Sequence, residues 1–374
     1  MSNLRTELCD MLGIKYPIIQ AGMGPFSTNR LAAVAASAGV LGIISTSGFG
    51  YLRGGSSRMT SGVAQVARTL TDDKGGTWQE QMKRAFHRVK EESRQAHGVF
   101  GINCMVSSEL RAYAGEVIRT TLEAREEDPE MGERLRVIIT SAGDPLPWTD
   151  VIKPAGVKWL HVVPSVRHAL RAERAGVDGV IASGQEGGGH VAWEPVHSMV
   201  LLPAVVRAVS VPVIGAGGFA TGASLVAALA LGAVGVQMGT RFLATRESEF
   251  QPVHKDYVLK GGERDTLVAR GVVGPLRWLR NEAATEFARL TVSKAPGVFL
   301  GEPEDLADVA QEVRAREDEG WDAQFLGDGP RALMPGGEAA GLVDDIPPVK
   351  VLVERIVREA EETLQGLSAR FAKD

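Results

Sequence analysis

Eight short β-branched runs, each closing on glycine or a small polar residue, recur through the first two thirds of the chain. They cover residues 16–20, 40–44, 99–104, 137–140, 159–163, 179–182, 211–215 and 234–238. Several are continuous apolar runs, the pattern of strands buried on both faces of a parallel sheet. Segments of helical periodicity lie between them, alanine-rich at 30–37 and 221–231 and charged along one face at 166–175. Strand followed by helix, eight times over, is the pattern of a (β/α)8 TIM barrel. An open doubly wound sheet usually carries its phosphate-binding glycines after the first strand. Here the densest glycine junctions follow runs six, seven and eight, which favours the barrel. Glycine is abundant, 44 of 374 residues, and it is concentrated at these strand ends.

Two stretches exceed a minimal barrel. Residues 47–97 form a long insertion after strand 2, with a glycine- and serine-rich part followed by a charged helix over 77–95. A long loop on this face is a candidate wall or lid of the site. Beyond residue 250 the alternation stops. Residues 257–278 read as irregular, and helical stretches follow near 281–290, 304–318 and 349–371. The expected organisation is an α/β barrel over 1–250, with the insertion at 47–97, and a mostly helical C-terminal subdomain over 251–374 packed on it.

Charge and composition narrow the function. With 41 Lys+Arg against 46 Asp+Glu, the net charge of −5 gives no basic footprint for nucleic acid or an anionic membrane surface. Two cysteines, Cys9 and Cys104, make neither a disulfide framework nor a four-thiolate zinc site. The first residues lack the charged-then-apolar pattern of a secretion signal, so none is expected, and no window is apolar enough to span a bilayer. A cytoplasmic enzyme acting on a small molecule is expected, with a homo-oligomer left open. No His/Cys/Asp/Glu cluster has metal-ligand spacing, so no metal is expected.

Candidate chemistry gathers at the strand ends. In GVIASGQEGGGH (179–190) a buried run ends at Ala182, just before Ser183, and Gly187, Gly188 and Gly189 let the backbone pass close to a flat ligand. His190 stands on the rim where barrels place catalytic groups, and imidazole is a suitable base near neutral pH. A histidine in a glycine turn can also merely cap a loop; three glycines at a strand end favour the catalytic reading. VPVIGAGGFATG (211–222) offers Gly217 and Gly218, and VQMGTRF (236–242) offers Gln237, Met238, Gly239 and Thr240. Two glycine junctions in consecutive βα loops can cradle a phosphate on backbone N–H groups, although turns also use glycine for steric reasons alone. The Thr240 hydroxyl either joins that cradle or caps the helix after it. In YPIIQAGMG, Gly22 and Met23 can lie against a ring face or form a simple βα turn. Asn103, a polar amide inside an apolar strand, needs a partner, either a ligand or a neighbouring backbone group.

Together these segments resemble the nitronate monooxygenase family (2-nitropropane dioxygenases), in the superfamily shared with FMN-dependent enoyl-acyl-carrier-protein reductases. PIIQAGM, FGIN, HVVPSV, GVIASGQEGGGH, VPVIGAGGFATG and VQMGTRF follow in the family's order, and MPGGEAAGLVDDI extends the likeness. The resemblance implies FMN as cofactor and His190 as the catalytic residue. It implies flavin contacts at Asn103, Gly188, Gly218 and residues 237–240, with Gly22 and Met23 beside the ring. Ser183 stands where many members carry glutamine, and Ala192 where glycine is usual. The implied activity is oxidation of alkyl nitronates or nitroalkanes with O2, His190 acting as general base. The alternative is NAD(P)H-dependent reduction of an enoyl thioester.

Overall fold

The computed structural model describes residues 4–50 and 75–371. The glycine- and serine-rich part of the expected insertion falls largely outside the described residues. The eight expected runs all form strands: β1 (Ile18–Gln20), β2 (Gly42–Ser45), β3 (Phe100–Met105), β4 (Leu135–Ser141), β5 (Lys158–Val163), β6 (Gly179–Ser183) and, after a two-residue β7 (Gly189–His190), β8 (Val213–Ala216) and β9 (Gly235–Met238). Apart from β7 they form one parallel sheet, ordered β1-β9-β8-β6-β5-β4-β3-β2. A bridge between Ile19 and Leu41, with hydrogen bonds from Gln20 N to Leu41 O (2.9 Å) and Leu41 N to Ile18 O (3.0 Å), closes the ring.

Alternation sorts the strand side chains into two cores. Ile19, Ile43, Val137, Ile139, Leu160, Ile181 and Ile214 fill the barrel, with Leu8 and Leu12 of helix Glu7–Leu12 in the same cluster. Ile18, Ile44, Phe100, Ile102, Ile138, Val180 and Val236 face outward into the layer shared with the surrounding helices. This double burial is why the runs read as continuously apolar. The charged helix of the insertion is Trp78–Glu92, started by a capping box between Thr77 and Glu80.

The C-terminal third departs from expectation in two respects. Residues 257–278 are not irregular. Helix Pro252–Lys260 is followed by a hairpin of β10 (Thr266–Arg270) and β11 (Pro275–Leu279), and β11 also pairs with β7 in a three-stranded antiparallel sheet. The signal was present as two five-residue runs around the turn Gly271–Gly274, a hairpin pattern. Secondly, the last helix, Val349–Phe371, does not stay with the segments before it. Its stripe Val349, Leu352, Val353, Ile356, Val357 and Ala360 joins the outer barrel layer, beside helices Asn29–Ser37 and Gly222–Ala230. Gly222 permits the contact, because a Cβ there would run into the backbone of Ile356 and Ala360. The last helix is therefore the eighth barrel helix, and residues 244–348 are an excursion between strand and helix.

Candidate active site

The sequence-predicted residues line the C-terminal mouth of the barrel, where parallel strands release their loops. Gly22 follows β1 so closely against β3 that a Cβ would lie 2.8 Å from the Asn103 Cβ. Asn103 has backbone and side-chain partners: its carbonyl accepts from Thr46 N (3.2 Å) and Thr46 Oγ1 (2.8 Å), and its Oδ1 accepts from Ser141 Oγ (3.3 Å). Met23 lies beside Gly239, its Sδ 3.6 Å from where a Cβ would stand. Ser183 ends β6, with its Oγ 3.5 Å from the Cβ position of Gly187, which also lies 3.8 Å from the Gly217 Cα.

Gly217 and Gly218 are consecutive left-handed residues, both at φ 83°, a backbone that side-chain-bearing residues rarely adopt. Their N–H groups, and those of Gly239 and Thr240, have no hydrogen-bond partner among the described residues. Two glycine junctions thus present free backbone donors at adjacent strand ends, which fits an anionic oxygen cluster such as a phosphate. Gln237 is half-buried in β9 between Ile19 and Ala216. Met238 is different: its side chain is buried in the outer layer, and its carbonyl accepts the Ala21 N–H (3.0 Å). Only its backbone belongs to the mouth. The Thr240 hydroxyl does not cap its own helix, whose N-cap is Gly239; it accepts the Gly337 N–H at 3.0 Å.

Gly337 belongs to the MPGG segment of the excursion, and Gly188 packs on it. A Cβ on Gly188 would lie 2.5 Å from Gly337 N and 2.6 Å from Gly336 C. Gly189, at φ 75°, then turns the chain into His190, which is paired with Leu276 of β11. His190 is exposed to solvent at the rim of the mouth, and desolvation by the protein packed around its ring, together with the Arg270 charge, pushes its pKa down to about 4. The imidazole is therefore neutral at physiological pH and able to accept a proton.

Sequence reasoning missed the charged framework around His190. Arg270 is buried, stacked 4.8 Å over the Trp193 ring and 3.5 Å from the Glu304 carboxylate. Glu317 accepts the Val272 N–H in the hairpin turn and the Trp321 indole N–H at 3.2 Å; burial pushes its pKa up to about 7. Arg277 is buried and pairs with Glu338 at 3.0 Å. Three other histidines serve elsewhere. His161 is buried against the Thr140 hydroxyl (2.8 Å), His168 meets the Ser165 hydroxyl (2.8 Å), and His254 lies between the Pro335 carbonyl (2.9 Å) and Gln324 (3.0 Å). Cys104 is buried with its thiol pushed up to about 12, which removes it as a nucleophile. Among the described residues no cluster can hold a metal ion, and no helix is long and apolar enough to cross a membrane.

Known proteins resemble this chain over most of its length. The nitronate monooxygenase family model matches residues 5–359. A (3aS,4S,5R,7aS)-5-hydroxy-7a-methyl-1-oxo-octahydro-1H-indene-4-carboxyl-CoA dehydrogenase from Rhodococcus jostii is 30% identical, with 99% of each chain covered. A probable nitronate monooxygenase from Staphylococcus aureus is 30% identical over 76% of this chain and 81% of its own. The structure of FabK from Thermotoga maritima superposes with a TM-score of 0.76 at 32% identity, covering 99% of this chain and all of that one. On the match of family model, relatives and fold, this chain belongs to the nitronate monooxygenase family of flavin-dependent oxidoreductases.

Proposed function

We propose that this chain uses FMN to desaturate an acyl thioester between its α and β carbons, the α proton passing to His190 and the β hydride to the flavin. The observation that carries the reading is the neutral imidazole held on a sheet supplied by the 244–348 excursion. One relative covered end to end, excursion included, is a carboxyl-CoA dehydrogenase. Bound FMN supplies the two-electron chemistry. The mononucleotide, rather than FAD, suits one cradle at Gly217, Gly218, Gly239 and Thr240 with no second dinucleotide fingerprint. Gly22 and Met23, beside Gly239, and Asn103 line the mouth and suit a flat ring, and Gly188 lets the loop carrying His190 pack on Gly336 and Gly337. His190 then faces a C–H bond made acidic by the neighbouring carbonyl, and its lowered pKa keeps the proton-accepting form present.

A second reading keeps the site and changes the substrate. A nitro group acidifies its α carbon as a thioester carbonyl does, and both the family model and the 302-residue Staphylococcus aureus match favour it. In that reading a nitroalkane or its nitronate is oxidised with O2, and the preformed nitronate needs no base. Anaerobic stopped-flow distinguishes these readings. Cyclohexanecarboxyl-CoA, 1-nitropropane, its nitronate and NADPH are each mixed with the holoenzyme while flavin absorbance is followed. Bleaching by the thioester supports the proposal. Bleaching by nitronate alone replaces it with the second reading, and bleaching by NADPH alone makes the protein a reductase. His190→Ala should abolish proton removal from the thioester or neutral nitroalkane, by about 10² to 10⁴-fold, with FMN retained.

A further inference from the structure

We propose that Arg277, paired with Glu338, is the positioning residue for His190, gripping both ends of the loop that carries it. The inference rests on the reading of His190 as the proton acceptor. Gly189 and His190 form a strand of only two residues, which has little stiffness of its own. Their ladder is with β11, where Arg277 opposes Gly189 and Leu276 opposes His190, and Val191 N donates to Pro275 O at 3.0 Å. The backbone of Arg277 therefore holds the end of the 185–190 loop. Its side chain holds the beginning, because Nε donates to the Gln185 carbonyl at 3.0 Å. Nη1 donates to the Thr266 hydroxyl at 2.8 Å and lies 3.0 Å from Glu338 Oε1.

Glu338 closes the circuit. Its own N–H donates to the Glu186 carbonyl at 3.0 Å, and the Arg277 carbonyl accepts the Gly336 N–H at 3.4 Å. None of these partners lies in a barrel strand. They are the 185–186 turn, the hairpin and the 336–338 segment, which approach one another only at the mouth. A guanidinium 9% exposed needs its carboxylate, since removing either partner leaves an uncompensated charge. The planar fork is also needed, because Nε and Nη1 point to different segments, and a lysine ammonium cannot reproduce that arrangement. Placement errors near 1 Å at a reacting group cost on the order of 10²-fold in rate.

The test uses holoenzyme carrying Arg277→Lys, with Glu338→Gln as the milder variant should the first not fold. Three quantities are read: the flavin reduction rate at saturating cyclohexanecarboxyl-CoA or 1-nitropropane, whichever reduces the wild type; the Kd of that compound; and the rate at which diethyl pyrocarbonate modifies His190, followed by peptide mass. The reduction rate should fall on the order of 10²-fold in Arg277→Lys and less in Glu338→Gln. The Kd should stay within about threefold, and His190 modification should change at least about threefold in the same order. A raised Kd with an unchanged reduction rate would make Arg277 a substrate contact and overturn the proposal. So would slower reduction with His190 modification unchanged, or no change in any quantity. The modification rate depends on no assumed substrate. If His190→Ala keeps full turnover, the catalytic reading of His190 falls on that result alone.

Discussion

Replacing Gly188 by alanine tests the seam on which the site closes. Gly188 is not held at a positive φ, so the substitution introduces no backbone strain and acts through one methyl group. That methyl would stand 2.5 Å from Gly337 N, 2.6 Å from Gly336 C and 2.7 Å from Gly336 Cα. All three are backbone atoms and cannot rotate aside. Restoring ordinary contact near 3.4 Å requires the two segments to part by roughly 0.7–0.9 Å, the scale of overpacking that costs about 1–3 kcal/mol. One segment leads to His190 and the other donates to Thr240, so the opening should misplace the base and loosen the cradle together. We expect a loss on the order of 10²-fold in flavin reduction and weaker flavin retention. The assays are stopped-flow reduction and the fraction of flavin kept on gel filtration. Gly337→Ala attacks the same seam from the other side, since its Cβ would lie 2.6 Å from the Glu186 carbonyl and 2.9 Å from Gly188 N, and should give the same phenotype. Gly366→Ala, with open space around it, should be silent. Full activity and flavin retention in both seam variants would refute the reasoning.

Four further outcomes follow from the structure. Because only neutral imidazole accepts a proton, a His190 pKa near 4 predicts a rate flat from pH 6 to 8 and falling below about pH 5; an inflection at 6.5 or higher would contradict the influence of burial and Arg270. Heat denaturation should release FMN and no FAD. Gly218→Val should weaken FMN binding about tenfold, because φ 83° costs a side-chain-bearing residue about 1–2 kcal/mol even though Glu186 leaves room for the Cβ; unchanged affinity by fluorescence titration would count against the cradle. His254 is fully buried with its pKa pushed down to about 4, so the folded state resists its protonation and the unfolded state does not. The stability it contributes is present above about pH 6.5 and lost as pH falls toward 4. The urea-melt difference between wild type and His254→Gln should therefore shrink by up to about 3 kcal/mol over that range, and a pH-independent difference would refute a neutral buried imidazole.

The barrel was legible because its evidence is local. A strand buried on both faces must be apolar throughout, and a helix of the outer layer must repeat near every fourth residue, so eight strands could be read without knowing their neighbours. The glycine junctions were legible for a related reason: at Gly217 and Gly218 the left-handed backbone itself calls for glycine. His190 was found through the glycines that precede it. What surrounds His190 was not legible, because it depends on pairs distant in the chain. The strand that opposes His190 begins at Pro275, and Arg277 reaches back to Gln185 across 92 positions. Nor does residue type reveal that Met238 faces the outer layer, or that the helix at 349–371 returns to the barrel. Periodicity reports which face of an element is buried. Which element covers it, and so whether the histidine meets a nearby arginine and loses its affinity for protons, is settled only when segments far apart in the chain compete to exclude water from the same surface.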